Sequence, residues 1–188
     1  VAIKDNYEDT LLIERARGGD HEAFAEIVRK YQSTVATVVI GMLGKNDDAE
    51  DVGQNVFIRF YNALNDYRGE ASLSTYLTRI AINLSINEIK RQQRKNLLFF
   101  RFTKDADGKD REFASGENAE NSFEISELVN KALGQLEPKF RAVVVLRMMQ
   151  GYTTDETSKI LKLPLGTVLS RLSRAQDKLK ILLNKLMI

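Results

Sequence analysis

The stretch QGYTTDETSKILKLPLGTVLSRLSRAQDKLKIL, Gln150–Leu182, holds two short amphipathic helices joined by a tight turn that contains Pro164 and Gly166. Val168, Leu172, Ala175, Leu179 and Leu182 recur at steps of four, three, four and three, which is one face of a helix. Thr167, Ser170, Arg171, Arg174 and Lys178 fall outside that face. Before the turn, Thr154 is placed to cap a helix whose apolar residues include Ile160, Leu161 and Leu163. Pro164 is tolerated near a helix start, because its missing N–H would be unpaired there anyway. Two helices, a tight turn, and a second helix with one apolar face and one face of hydroxyls and arginines make a helix-turn-helix. That device sets its second helix into the DNA major groove. The pattern points to nucleic-acid binding, not catalysis.

Working outward, the 188 residues suffice for one domain or two small ones, and at 43% hydrophobic and 29% charged they can bury a core. The absence of cysteine excludes disulfides and thiolate metal sites and suits a reducing cytoplasm. No apolar run is long enough to span a bilayer. The N-terminal VAIKDNYEDT carries acids where a signal peptide would have its hydrophobic region. The expectation is a cytoplasmic protein without membrane insertion.

The net charge of +2 is less informative than its distribution. Tyr76–Asn96 carries Arg79, Lys90, Arg91, Arg94 and Lys95 against the single acid Glu88. Lys159–Lys185 carries seven bases against Asp177 alone. Between them, from Asp105 to Glu127, acids dominate. Two basic blocks separated by an acidic one suggest two separate contacts with a polyanion.

Nearly every segment reads helical: Asp5–Arg17, then a helix capped by Asp20, then one opened by an Asp47-x-x-Glu50 capping box, then a long helix from Ser74 or Thr75 to about Lys95. Val35–Ile40 has strand propensity, which its helical surroundings override. Periodicity is lost over residues 97–122, which read as a linker, except that Leu97–Phe102 is apolar enough either to extend the preceding helix or to dock. Helices resume over Ile125–Leu136 and Pro138–Gln150. The expected architecture is all-α: two small helical domains, 1–96 and 123–188, joined by a flexible acidic linker, the second a helix-turn-helix domain.

The long helix has its own two faces. Leu73, Leu77, Ile80, Ala81 and Leu84 form an apolar stripe, opposed by Tyr76, Arg79, Asn83, Asn87 and Lys90. Rings stack on bases, amides read base edges and cations neutralise phosphates, so this interleaving suits nucleic acid. The preceding loop, Tyr67-Arg68-Gly69-Glu70-Ala71-Ser72-Leu73-Ser74, combines a permissive glycine with small hydroxyls and suits a pocket for an extruded base or a plain interhelical connection. Catalysis finds no such support. His21, the only histidine, sits at a helix cap, and Asp47, Asp48, Glu50 and Asp51 fit a helix start better than a metal site. Neither metal nor cofactor is expected.

GDHEAFAEIVRKY, DDAEDVGQNVFIRFYNAL and YRGEASLSTYLTRIAINLSINEIKR together resemble region 2 of bacterial sigma factors, and LEPKFRAVVVLRMMQGYTTDETSKILKLPLGTVLSRLSRAQDKL resembles region 4. Only these two regions are present, in that order, which is the layout of the extracytoplasmic-function (ECF) subfamily. The resemblance implies an RNA polymerase sigma factor that directs promoter-specific initiation. It implies docking on the clamp helices of the largest polymerase subunit through Asp48, Asp51, Gln54, Asn55 and Phe57, and contact with the flap. Tyr76, Arg79, Asn83, Asn87, Lys90 and the neighbouring Arg91 would contact and help open the −10 element. Tyr67, Arg68, Ser72 and Ser74 would hold a flipped base. Leu165, Thr167, Ser170, Arg171, Ser173, Arg174 and Lys178 would serve the −35 duplex. The linker would thread toward the RNA exit path, and an anti-sigma factor is an expected partner.

Three departures stand out. Tyr76 replaces the family's usual Trp, Leu169 replaces a common Arg or Lys, and Gly53 interrupts the docking helix at a cost of ~1 kcal/mol relative to Ala. A sigma mimic that only binds an anti-sigma factor is the alternative. Such a mimic should lack promoter-reading bases, and this chain keeps Arg79, Lys90, Arg91, Arg171 and Arg174.

Overall fold

The computed structural model describes the backbone over residues 2–102 and 121–186, and side chains over 7–97 and 127–186. Among the described residues there is no strand, so the all-α expectation holds. The remainder of the expected linker, residues 103–120, lies outside them.

The N-terminal half comprises α1 (Ala2–Arg17), α2 (His21–Leu43), α3 (Asp47–Asn62), a 3-10 turn (Leu64–Asp66) and α4 (Leu73–Phe102). Asp20 caps α2 as expected, its carboxylate accepting from the N–H groups of Glu22 and Ala23 at 3.0 and 3.1 Å. The β-branched Val35–Ile40 is helical because Val35, Val38 and Val39 are all buried there, and burial outweighs a few tenths of a kcal/mol of propensity. Gly44, at φ 81°, ends the helix and donates its N–H to the Ile40 carbonyl. The cap of α3 is Asn46, whose side chain accepts from Ala49 N at 2.9 Å, not the expected Asp47–Glu50 box. The acids Asp47, Asp48 and Glu50 occupy the first turn instead, where the macrodipole favours them. The start of α4 comes slightly before the expected Ser74, with Ser72 Oγ accepting from Thr75 N at 3.2 Å. Its end lies at Phe102, so Leu97–Phe102 extends the helix.

The C-terminal half comprises α5 (Asn121–Gln135), α6 (Pro138–Val144), a π-helical turn (Val145–Met149), α7 (Thr154–Leu161) and α8 (Leu165–Leu186). Thr153 caps α7, one residue before the expected Thr154, in a reciprocal capping box with Glu156. Lys162, in the left-handed region at φ 53°, turns the chain toward α8.

Two apolar clusters hold these elements. The smaller joins Leu133, Leu136, Phe140 and Val144 to Ala175, Leu179 and Leu182 of α8. The larger is built around Ile27, Val38, Met42, Val56, Phe60, Leu77 and Ile82, and it also takes in Ala142, Val145, Leu146 and Ile160. The two halves therefore share one core. At Gly41 the approach is closest: a Cβ there would lie 2.9 Å from Val145 Cγ2 and 3.1 Å from Met149 Sδ.

Candidate nucleic-acid interface

On α8 the expected partition is observed. Val168 and Ala175 are fully buried, and Leu172, Leu179 and Leu182 are half-buried. On the other side Ser170, Ser173 and Arg174 are exposed and Thr167 and Arg171 half-exposed. Leu165 and Leu169 are open to solvent as well. Arg171 and Arg174 have no internal partner among the described residues, so both guanidinium groups are available to an external anion. Lys178 differs. Its Nζ donates to Glu137 at 2.9 Å and lies 4.6 Å from the centre of the Phe140 ring, so it serves to tie α8 to the start of α6.

The stripe on α4 divides into two parts. Asn83, Asn87 and Lys90 are exposed. Tyr76 and Arg79 are half-buried. Tyr76 packs against Tyr67 (4.9 Å between ring centres) and Phe60 (5.9 Å), and Arg79 donates to the Lys159 carbonyl at 3.1 Å. The apolar face is rotated from the one expected. Thr78, Ile82, Ser85 and Ile89 are buried with Leu73, Leu77 and Ala81, whereas Ile80 and Leu84 are only half-covered. A helix packed on one side has a single stripe; α4 meets the C-terminal half too, which widens its buried face. Arg91 is held by Glu88 at 2.7 Å and Asp48 at 3.1 Å. The Arg91 guanidinium keeps the Glu88 carboxyl below its ordinary pKa.

The loop before α4 is braced from below. Tyr67 OH donates to the Ala71 carbonyl at 2.7 Å, and burial pushes the Tyr67 phenol pKa up. Gly69 adopts φ 71°, which favours glycine. Arg68 is exposed, Ser72 is occupied in capping α4, and Ser74 shares a hydrogen bond with Tyr152 OH at 3.2 Å. Arg17 does much of the bracing: its Nε donates to the Leu64 carbonyl at 3.0 Å and its Nη2 to the Tyr67 carbonyl.

On α3, Asp51, Gln54 and Asn55 are exposed, Phe57 is half-buried, and Asp48 is bonded to Arg91 and Gln92 of α4. Two grooves flank this helix. One, of about 360 Å³, lies between α2 and α3 beside Gly53, Gln54 and Phe57. A Cβ on Gly53 would meet open space, so internal packing does not require that glycine. The other, of about 550 Å³, lies between α3 and α4 and is lined by Asn55, Ile58, Arg59, Asn87, Arg91 and Arg94 among others. Sequence reading overlooked Arg59 because it sits on α3, away from both basic blocks. No group of histidine, cysteine or carboxylate side chains suited to a metal occurs among the described residues.

The chain matches the family descriptions "Sigma-70 region 2" over residues 27–95 and "Sigma-70, region 4" over residues 126–179. It is 31% identical to the ECF RNA polymerase sigma-E factor of Escherichia coli (strain K12) over 185 residues, 93% of this chain and 94% of that one. The chain belongs to the sigma-70 family, as an ECF sigma factor. This sigma factor is also 31% identical to the RNA polymerase sigma-H factor of Pseudomonas aeruginosa, over 90% of its own length and 91% of the relative's. Its fold is similar to CnrH in complex with the cytosolic domain of CnrY, at 25% identity and a TM-score of 0.66, covering 95% of this chain and 98% of that one. A second likeness is to the sigma factor RpoE of Bartonella quintana in complex with the anti-sigma factor NepR, at 25% identity and a TM-score of 0.64, covering 86% and 96%. Sigma factors are DNA-binding proteins of transcription initiation, acting with core RNA polymerase at promoters. Among the described residues of this sigma factor no helix is long and apolar enough to cross a membrane.

Proposed function

We propose that the two polar faces divide promoter recognition between them. The guanidinium groups of Arg171 and Arg174 on α8, without a partner among the described residues, carry this reading. With Leu165, Thr167, Ser170 and Ser173 they form a rigid face of the size and chemistry that reads a duplex major groove at the −35 element. Asn83, Asn87 and Lys90, with Tyr76 and Arg79, read and hold the opened −10 strand, and the Tyr67–Ser74 loop accepts the displaced base. Asp51, Gln54, Asn55 and Phe57 dock on the polymerase clamp, where the open groove beside Gly53 leaves room for a partner helix. Asp48 and Arg91 brace α3 against α4, and Lys178 braces α8, so these three act by positioning.

The functional units are residues 1–96 and 123–188, with 97–122 between them. The protein contributes no bond-making chemistry of its own and works in the cytoplasm. The anti-sigma factor NepR in the complex with the Bartonella RpoE supports an anti-sigma factor as a further partner. The mimic reading is disfavoured, because the promoter-reading bases are retained and Arg171 and Arg174 have no partner among the described residues.

Binding of each variant to core polymerase, to −35 duplex and to −10 strand tests the division of labour. Arg171→Ala and Arg174→Ala each lower duplex affinity, by ~1–3 kcal/mol if the contact is a bidentate base contact, and leave polymerase binding intact. Gln54→Ala does the reverse. Loss of all three activities in every variant would contradict separate sites.

A further inference from the structure

The groove of about 550 Å³ between α3 and α4 is cationic: Arg59, Arg91 and Arg94 line it against the single acid Glu88. Arg91 is paired with Glu88 and Asp48, so that acid is already neutralised. Arg59 has no side-chain partner among the described residues. Arg94 donates only its Nε, to the Lys90 carbonyl one turn back at 3.3 Å. Where this fold uses an arginine for support, it supplies internal acceptors: Arg17 reaches the Leu64 and Tyr67 carbonyls, and the buried Arg141 those of Met42, Gly134 and Leu136. Arg59 and Arg94 are exposed instead, one on each wall of the same recess. Two surplus like charges lining one groove repel each other, and an anion seated in it relieves that repulsion. The groove is not purely polar: Val52 and Leu84 line it, with Ile58, which is 57% exposed.

Resting on the assignment of α4 to the −10 strand, we propose that this groove carries that strand onward, with Arg59 and Arg94 each holding a backbone phosphate and Ile58 and Leu84 lying against sugar and base. The groove continues the strand face. Asn87 belongs both to the exposed stripe of α4 and to the groove lining. Arg91 and Arg94 follow it at steps of four and three, so all three share one side of the helix. A strand laid along Asn83 and Asn87 therefore runs over the rim and into the recess. From Leu73 to Arg94 the helix spans roughly 30 Å at 1.5 Å per residue, so the groove takes the part of the strand far from the displaced base. A cationic groove that tracks the backbone beside apolar contacts is how single strands are held without regard to sequence. Phosphates carry no sequence information, so these contacts set affinity and register, not base choice. Polymerase docking does not compete for the space. Of the residues assigned to it, Asn55 alone lines this groove, whereas Gln54 and Phe57 line the one between α2 and α3. An acidic protein segment would satisfy the same charges, but the unbroken run from Asn83 through Asn87 favours nucleic acid.

The test measures the affinity of the full chain for a single-stranded −10 oligonucleotide over a series of salt concentrations. Each phosphate neutralised on a single strand adds ~0.7 to the slope of log affinity against log salt. Arg59→Ala and Arg94→Ala are each expected to lower that slope by ~0.7, and together by ~1.4, equally on the −10 strand and on a scrambled one. Arg59→Lys keeps the charge and the slope. Arg29→Ala, on α2 and paired with Glu22, removes the same charge elsewhere and leaves the slope as it was. All these side chains are exposed, and circular dichroism checks that each variant keeps its helices. An unchanged slope in Arg59→Ala and Arg94→Ala, with Lys90→Ala still lowering it, overturns the proposal and leaves the assignment of α4 standing. Weaker binding to core polymerase with an unchanged slope overturns it in favour of an acidic protein surface, and a loss confined to duplex overturns it in favour of unopened DNA. If the wild-type chain binds no −10 strand at all, the assignment of α4 fails and the groove's role with it.

Discussion

Arg17 shows how one side chain reaches the site from elsewhere in the fold. It stands at the end of α1 and donates to the carbonyls of Leu64 and Tyr67, 47 and 50 residues away, while its Nη1 pairs with Glu14 at 2.6 Å. These carbonyls border the loop assigned to the displaced base, and their alternative donor is water. Arg17→Ala is expected to cost about 2 kcal/mol in urea denaturation, the range for hydrogen bonds to a charged group, and to weaken −10 strand binding while leaving −35 duplex binding unchanged. Arg17→Lys recovers only part of the stability, because an ammonium cannot span two carbonyls as a planar fork does. Neither Arg17 nor Arg141 was legible as a key residue in the sequence. Each bonds to backbone carbonyls far along the chain, and a carbonyl leaves no mark in a string of side chains. The exposure of Arg174 and Asn83 was legible, because an amphipathic helix writes its exposed face into its own spacing.

The helices themselves were legible for the same reason, and their ends less so. Asp20 was recognisable as a cap, whereas the caps of α3 and α7 fell one residue earlier than read, at Asn46 and Thr153. In both places consecutive polar residues compete, and the winner is the one whose backbone is extended at the helix entry. Thr153→Ala, measured by thermal or urea unfolding, should cost about 1 kcal/mol; Thr154→Ala should cost a few tenths. The π turn could not be read from RAVVVLRMM, which is as apolar as any buried α-helix; its setting is the close packing of Val145 and Met149 on Gly41. At the start of α6, Glu137 accepts from Lys139 and Lys178, and these ammonium groups hold its carboxyl down to about 2 from an ordinary 4.5. The folded value lies below the unfolded one, so the contribution is present above about pH 4.5 and is lost as pH falls toward 2. The group is open to solvent, so salt screens it. An acid titration of stability at low ionic strength should show this loss, and both Glu137→Gln and added salt should flatten it.

The whole molecule departs most from its sequence reading in how its halves meet. Two domains were legible from two basic blocks and an acidic interval. Their shared core was not, because Gly41, Met42 and Val145 read as ordinary members of apolar helices. A core that runs through both halves predicts one cooperative unfolding transition for the free chain, seen as coincident loss of helicity and of tertiary signal; Gly41→Leu should split it in two. The central claim is that this chain gives core polymerase a promoter choice it otherwise lacks. The direct measurement is transcription from genomic DNA by purified core polymerase, with and without the protein. The account predicts new transcripts whose start sites share two upstream sequence elements, abolished by Arg171→Ala with Arg174→Ala while polymerase binding persists. Transcription unchanged by the protein, with no binding to core polymerase, would contradict it.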